Sequence, residues 1–123
     1  MLIRQPAVSG HFYPANPKKL KEQIQSFQPK KKGIQESVLG IIAPHAGYNY
    51  CGQILVATYQ RVIIPESIVI LGPNHSKKGE PMSVFPRGVW QTPFGDIEVD
   101  SKLAGEIKLH SKDLKDEPEV HET

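Results

Sequence analysis

Two short aliphatic segments dominate the hydrophobic pattern, and each leads into a proline followed by a histidine. Residues 38–42 (VLGII) precede Ala43-Pro44-His45, and residues 68–71 (IVIL) precede Gly72-Pro73-Asn74-His75. Near-continuous runs of Val, Ile and Leu are typical of central parallel strands, which are covered on both faces. We therefore predict two buried strands, each with a histidine just beyond its carboxyl end.

A helix is predicted between these strands, over residues 51–62. Its inner face is predicted to carry Ile54, Leu55, Thr58, Tyr59 and Val62. Strand, helix and strand at this spacing make a βαβ unit, whose two strands run in the same direction. If the strands are adjacent, their carboxyl ends lie about 5 Å apart, at the sheet edge where open α/β sheets bind ligands. The pattern thus places His45 beside His75.

The remaining pattern predicts two outer helices and further strands, completing an α/β fold. Asn16 and Pro17 are suited to the start of a helix. The apolar stripe of that helix consists of Leu20, Ile24 and Phe27. Residues 82–85 and 96–100 are predicted strands, and Ser101 is predicted to cap a last helix.

Composition indicates an ordinary globular chain, with 38% hydrophobic and 23% charged residues in a length of 123. One domain with a modest core is expected at this size. A net charge of +2 is too small to indicate nucleic-acid binding, and no apolar run approaches membrane-spanning length. The single cysteine, Cys51, excludes an internal disulfide, and the start of the chain has no secretory signal pattern. We therefore expect a cytoplasmic protein.

His45 and His75 are the strongest candidates for chemistry. A single histidine at a strand end is commonly only a hydrogen-bonding residue, but two in matching positions favour a shared site. Neutral imidazoles suit zinc, iron, copper or nickel. A third ligand is needed, and the spacing leaves six candidates open: His11, Cys51, Asp96, Glu98, Asp100 and His121.

The sequence allows two alternative roles for each of three side chains near His45. Cys51, at the start of the predicted helix, is either a reactive or ligating thiol or a small packing residue. Tyr48 and Tyr50 flank the histidine turn. They either donate hydrogen bonds to a substrate or cover the pocket.

Five blocks of sequence resemble, in order, the signature of the Memo family, also called AmmeMemoRadiSam system protein B. They are residues 6–14 (PAVSGHFYP), 43–48 (APHAGY), 50–52 (YCG), 71–75 (LGPNH) and 92–95 (TPFG). The resemblance extends over essentially the whole chain and corresponds to the first, smaller part of a family member. Residues 1–123 are therefore expected to be the N-terminal portion of a single Memo-like α/β domain whose remainder is absent.

The resemblance implies a fold similar to class III extradiol (LigB-type) dioxygenases, a three-layer sandwich with a largely parallel central sheet. It implies that His45 and His75 are catalytic and are two ligands of an iron or copper ion. It also implies a substrate pocket lined by Gly47, Tyr48, Tyr50 and Asn74. The family's third ligand, a later cysteine, would fall outside these 123 residues, so Cys51 is not expected to replace it.

Two main hypotheses of function follow from the resemblance. The first is a metal-dependent oxidoreductase related to non-haem iron extradiol dioxygenases. The alternative is a non-catalytic peptide- or protein-binding scaffold, since the family is linked to AMMECR1-like and radical SAM companion proteins. Under either hypothesis the protein is expected to bind a small molecule or a peptide, and to bind neither nucleic acid nor a membrane. A weaker alternative is an anion-binding α/β domain that uses the loop after His75.

Overall fold

The computed structural model of the chain describes residues 1–31, 33–75 and 77–122. The chain divides into two compact units. We call Val8–Ile68 the helical unit, and Met1–Ala7 together with Val69–Thr123 the sheet unit. With helices and with both parallel and antiparallel strand pairs, the chain has an α/β fold. The longest helix has 12 residues, and no helix within the described ranges has the length and apolarity needed to cross a membrane.

The first helix of the helical unit, α1 (Pro17–Ser26), begins where the sequence predicts. Asn16 is its N-cap, and the Asn16 Oδ1 atom accepts a hydrogen bond from the Lys19 amide at 3.1 Å. Pro17 occupies the first turn, where an amide donor is not needed. Leu20 is buried, so the predicted apolar stripe faces the interior.

The second helix, α2 (Tyr48–Tyr59), begins three residues earlier than predicted. Its buried face is set by Gly52, because a Cβ atom there would lie 2.3 Å from the ring of Phe27. Ile54 is 63% exposed and Tyr59 is 46% exposed. The predicted inner face is wrong for these two residues, but Val62 is buried and Leu55 and Thr58 are partly buried, as predicted.

Neither predicted central strand is formed. Residues 38–42 and 68–71 take part in no strand pairing with the described part of the chain. Leu39 is 112%, Ile42 99% and Leu71 92% exposed. A strand requires a hydrogen-bonded neighbour, and an aliphatic strand also requires layers that cover it. The described residues supply neither, so the apolar pattern does not produce a sheet here.

One contact of the predicted βαβ crossover is nevertheless present. Glu36 and Val62 form a parallel bridge. The Glu36 amide donates to the carbonyl of Arg61 at 2.9 Å, and the Ile63 amide donates to the carbonyl of Glu36 at 2.9 Å. The chain therefore runs in the same direction before and after α2, as the crossover requires.

The sheet unit contains a three-stranded sheet of mixed direction. It consists of β1 (Ile3–Arg4), β3 (Val89–Thr92) and β4 (Gly95–Glu98), in the order β1-β3-β4. β1 is parallel to β3, and β3 and β4 form an antiparallel hairpin. Gly88 precedes β3 with φ +109°, and a Cβ atom there would lie 2.1 Å from the carbonyl oxygen of Leu2. Only glycine permits this approach of the two strands.

Shorter elements complete the sheet unit. They are β2 (Ser83–Val84), α3 (Ser101–Leu109), β5 (Lys115–Asp116) and a 3₁₀ helix (Pro118–Glu122), with β2 parallel to β5. The N-cap of α3 is Asp100, whose Oδ1 atom accepts from the Leu103 amide at 2.9 Å. The predicted cap, Ser101, is instead the first helical residue. The buried core consists of Phe85, Val89, Ala104 and Val120.

A cationic and aromatic cluster joins the first strand to the 3₁₀ helix. The guanidinium carbon of Arg4 lies 4.3 Å from the centre of the Trp90 ring, a cation–π arrangement. Arg4 Nε also donates a hydrogen bond to the carbonyl of His121. The ring of Phe85 meets Trp90 and His121 edge-on, at centroid distances of 6.0 and 5.9 Å. Burial, and then the charge of Arg4, lower the pKa of His121 below its ordinary value of 6.5.

Gly52→Ala and Gly105→Ala form a matched pair that tests the packing between α1 and α2. Both glycines lie inside helices, where alanine is favoured by about 0.8–1 kcal/mol, but at Gly105 no described atom lies within 4 Å of an added Cβ. We expect Gly105→Ala to raise the free energy of unfolding. The free energy of unfolding of Gly52→Ala should be lower than that of Gly105→Ala by about 1–3 kcal/mol, the usual penalty of overpacking. Urea denaturation measures both, and equal gains would contradict the contact with Phe27.

The pKa of His121 predicts acid sensitivity of the fold. Because the folded pKa is lower than the unfolded one, the unfolded chain binds more protons in the range between them. The stabilisation is complete above about pH 6.5, the unfolded value, and is lost as the pH falls toward the folded pKa. The melting temperature should therefore drop more steeply below neutral pH in the wild type than in His121→Gln. His110→Gln, at an exposed position, should keep the wild-type profile, and an unchanged profile in His121→Gln would contradict the prediction.

Candidate functional site

The six predicted site residues are divided between the two units. The helical unit carries His45, Gly47, Tyr48 and Tyr50, and the sheet unit carries Asn74 and His75. The predicted adjacency of the two histidines stays a prediction. The local structure around each group nevertheless shows how its residues are held.

His45 is an exposed residue in the turn that leads into α2. The carbonyl of Gly47, the N-cap, accepts from the amides of Tyr50 at 2.9 Å and Cys51 at 3.2 Å. The thiol of Cys51 donates to the carbonyl of Ala46 at 3.0 Å. The two residues after His45 are thus bonded to the first turn of α2, so His45 is carried by an anchored turn.

The N-terminal sequence block supports this turn from outside the helix. The amide of Tyr48 donates to the carbonyl of Phe12 at 2.8 Å, and the rings of Tyr13 and Tyr48 lie 5.5 Å apart. A Cβ atom on Gly47 would lie 3.4 Å from the Phe12 carbonyl oxygen. Sequence spacing gives no signal for the Phe12 contact, because the two segments are far apart and the acceptor is a backbone atom.

Tyr48 and Tyr50, for which the sequence gives the same two alternatives, have different environments. Tyr50 is 90% exposed, whereas Tyr48 is half-buried. Burial raises the pKa of Tyr48 above its ordinary value of 10.0, and the neighbouring Tyr13, Cys51 and Tyr59 raise it further. The Tyr48 phenol stays protonated and can donate a hydrogen bond, while Tyr50 lies in solvent.

Cys51 is a packing residue. Only 5% of it is exposed, and its thiol hydrogen is directed to the carbonyl of Ala46. A buried thiol that donates to a carbonyl is not in the exposed, electropositive setting of reactive cysteines. The packing alternative for Cys51 is thus confirmed.

His75 is exposed and directly follows Asn74, whose side chain shapes the next turn. Asn74 Nδ2 donates to the carbonyl of Lys78 at 2.8 Å, and Asn74 Oδ1 accepts from the amide of Lys77 at 3.1 Å. Lys77 has φ +56°, a left-handed conformation that such a turn stabilises. Ser76, in the loop of the predicted anion site, lies outside the described residues. Asn74 therefore organises the backbone beside His75.

The described residues do not complete a metal site. No three His, Cys, Asp or Glu side chains in this part of the chain are grouped so that they could hold a metal ion. Three of the predicted third ligands have other contacts: Cys51 is buried, Asp100 caps α3 and His121 lies in the aromatic cluster. His45 and His75 are thus at most a partial set of ligands.

An open depression lies on α2, with a volume of about 310 Å³. Its lining consists of Gln53, Ile54, Ala57, Thr58 and Arg61. None of the six predicted site residues lines it; four of its five lining residues belong to α2, and Arg61 follows the end of that helix. We therefore assign it no role in the candidate site.

Tyr48 should ionise above the ordinary tyrosine pKa of 10.0, because burial favours its neutral phenol. In an alkaline titration that follows phenolate absorbance, we expect Tyr48→Phe to remove a late component that ionises above that pH. Tyr50→Phe, a change at an exposed phenol, should leave that component intact. Loss of the late component in the Tyr50 variant alone would contradict the assignment.

Comparison with known proteins gives a consistent result. The family described as Memo-like protein matches residues 4–123. A MEMO1 family protein of Aquifex aeolicus (strain VF5) is 42% identical over 110 residues, which cover 87% of this chain and 40% of the relative. A MEMO1 family protein of Pyrobaculum arsenaticum is 41% identical over 130 aligned positions, covering 95% of this chain and 46% of the relative.

A third relative, a MEMO1 family protein of Pyrococcus abyssi, is 41% identical over 122 positions, covering 94% of this chain and 42% of the relative. The chain thus spans less than half the length of these curated relatives. The match to the family covers nearly every residue of the chain, including both histidine blocks. The chain belongs to the Memo-like protein family.

Proposed function

We propose that this chain contributes His45 and His75 as metal ligands to a Memo-type, metal-dependent oxidoreductase related to class III extradiol dioxygenases. The proposed ion is iron or copper, and the complete fold is proposed to be a three-layer sandwich with a largely parallel sheet. A cytoplasmic location is part of the same proposal.

The observation that carries the proposal is the matching position of the two histidines within a Memo-family sequence. Both are exposed, and both follow an aliphatic segment and a proline. Imidazole is the most common metal-binding side chain and suits both iron and copper. His45 is also carried on an anchored turn, which reduces the entropy lost when a ligand side chain is fixed.

The described residues contain no group of three metal-binding side chains, which supports a remaining ligand from elsewhere. We propose that it is supplied by the part of the Memo polypeptide that relatives carry beyond the matched region. A bound iron or copper ion would supply the redox chemistry. In this chain, the protonated phenol of Tyr48 would serve as a donor, and the exposed Tyr50 would meet a substrate.

The ligand and partners belong to the same proposal. An exposed Tyr50 beside the anchored His45 turn suits a small-molecule or peptide ligand with hydrogen-bonding groups. AMMECR1-like and radical SAM proteins are proposed as companions.

Metal binding provides the direct test, in a hybrid in which this chain is joined to the unmatched portion of the Aquifex aeolicus relative. We expect His45→Ala and His75→Ala each to weaken binding of iron(II) or copper(II) by at least about 10–100-fold, the loss typical of altering even the outer shell of a site. Calorimetry and elemental analysis after dialysis measure this loss. The readout does not depend on knowing the substrate.

His110→Ala is the matched control, since His110 is an exposed histidine at the end of α3. It should bind metal as the wild type does. Equal metal affinity in all variants would contradict the proposal. Retained binding of a peptide or companion protein after His45→Ala, without any metal dependence, would favour the scaffold alternative.

A further inference from the structure

The loop that follows His75 packs on Glu117, the residue between β5 and the 3₁₀ helix of the sheet unit. The amide of Glu80 donates a hydrogen bond to Oε2 of Glu117 at 2.7 Å. Gly79 lies so close that a Cβ atom there would be 2.5 Å from the same oxygen and 2.7 Å from Cγ2 of Val120. Two adjacent loop residues therefore contact one carboxylate, and one of them also contacts a buried side chain.

The same loop is bonded at its other end to the residue beside His75. Nδ2 of Asn74 donates to the carbonyl of Lys78 at 2.8 Å, and Oδ1 of Asn74 accepts from the amide of Lys77 at 3.1 Å. Lys77 has φ +56°, a left-handed conformation that is unfavourable for lysine and persists only where surrounding contacts hold it. Asn74 thus holds the loop at its start and Glu117 holds it at its end.

The backbone on both sides of Glu117 is itself fixed. Before it, β5 pairs with β2 in parallel, and the amide of Glu117 donates to the carbonyl of Val84 at 3.4 Å. After it, Val120 is buried and the carbonyl of His121 accepts a hydrogen bond from Nε of Arg4. The carboxylate is therefore held at a defined position, so that it can restrain the loop.

We propose that Glu117 is a positioning residue of the proposed metal site, whose carboxylate restrains the loop beside His75. An imidazole on a freely moving segment loses conformational entropy when it binds a metal ion, whereas one on a restrained segment loses less. The effect on metal binding rests on the proposed function, since it requires His75 to be a ligand. The restraint on the loop does not, and it is measured in this chain alone.

Glu117 acts in this proposal through the loop and not as a ligand. Its Oε2 atom already accepts the Glu80 amide, and the described part of the chain contains no group of three metal-binding side chains. The bond joins residues 37 positions apart and its donor is a backbone atom, so sequence spacing gives no signal for it. Glu119, an exposed carboxylate in the 3₁₀ helix, provides the matched control.

Amide hydrogen exchange of the chain alone tests the restraint. In Glu117→Ala, exchange at the Glu80 amide should be faster by at least about 10-fold, the effect of losing a hydrogen bond to a charged group. The Lys77 amide should also exchange faster, although its own acceptor on Asn74 is unchanged. This second effect reports loosening of the whole loop, beyond the loss of one bond. Glu119→Ala should leave both amides as in the wild type.

Metal binding is measured in the hybrid with the Aquifex aeolicus relative described above. Glu117→Ala should weaken binding of iron(II) or copper(II) by about 10-fold, as removal of an outer support of a ligand does. Glu117→Gln should recover most of this loss, because an amide oxygen still accepts the Glu80 amide in a bond about half as strong. Glu119→Ala should bind metal as the wild type does.

Gly79→Ala provides a second variant in case Glu117→Ala does not fold. Its Cβ atom would displace the carboxylate from the loop while the glutamate remains present. We expect faster exchange at the Lys77 amide and weaker metal binding in this variant too. Urea denaturation of every variant confirms that the folded chain is being compared.

The outcomes separate the positioning role from the proposed function. Unchanged exchange at the Lys77 amide in folded Glu117→Ala would overturn the restraint, and so would equal effects of Glu117→Ala and Glu119→Ala. Weakened metal binding in His75→Ala with full binding in Glu117→Ala would overturn the positioning role while leaving the metal site in place. Equal metal affinity in the wild type and His75→Ala would contradict the proposed function, and the exchange measurement would still decide whether Glu117 restrains the loop.

Discussion

The amides and carbonyls of a β-strand can be paired only by another strand, and this requirement determines which parts of the chain are regular. Where partners are present, as for β1, β3 and β4, even a two-residue strand is formed. Where they are absent, as for residues 38–42, the most strand-like composition in the chain yields no strand. Helices have no such requirement, because their hydrogen bonds lie within one segment.

This difference explains how much of the fold could be predicted from the sequence. α1 begins where predicted, because its cap and first-turn proline act locally. α2 begins earlier than predicted because the carbonyl of Gly47 accepts the amides of its first turn. The close packing of Gly52 on the ring of Phe27 is a further contact that periodicity does not reveal. The two central strands could not be predicted correctly from composition, since their existence depends on residues elsewhere.

The candidate site shows the same division between local and distant information. The candidate histidines, glycine and tyrosines were proposed from short motifs, whereas membership of the Memo-like family is shown by comparison. The supporting contacts were not predictable, because they use backbone atoms such as the carbonyl of Phe12. Cys51 illustrates the ambiguity of a single residue type: only its burial and its bond to Ala46 distinguish packing from chemistry.

The hydrogen bond from Arg4 to His121 also has a consequence for the order of folding. It joins residues 117 positions apart, and the sheet unit is built from both ends of the chain. The helical unit is continuous in sequence, and contacts that are close in sequence form fastest. During synthesis on the ribosome, which proceeds from the N-terminus, the helical unit can therefore fold while β1 still has no partner. Ile3 and Arg4 must remain without their strand partner until Val89 and Trp90 have been made.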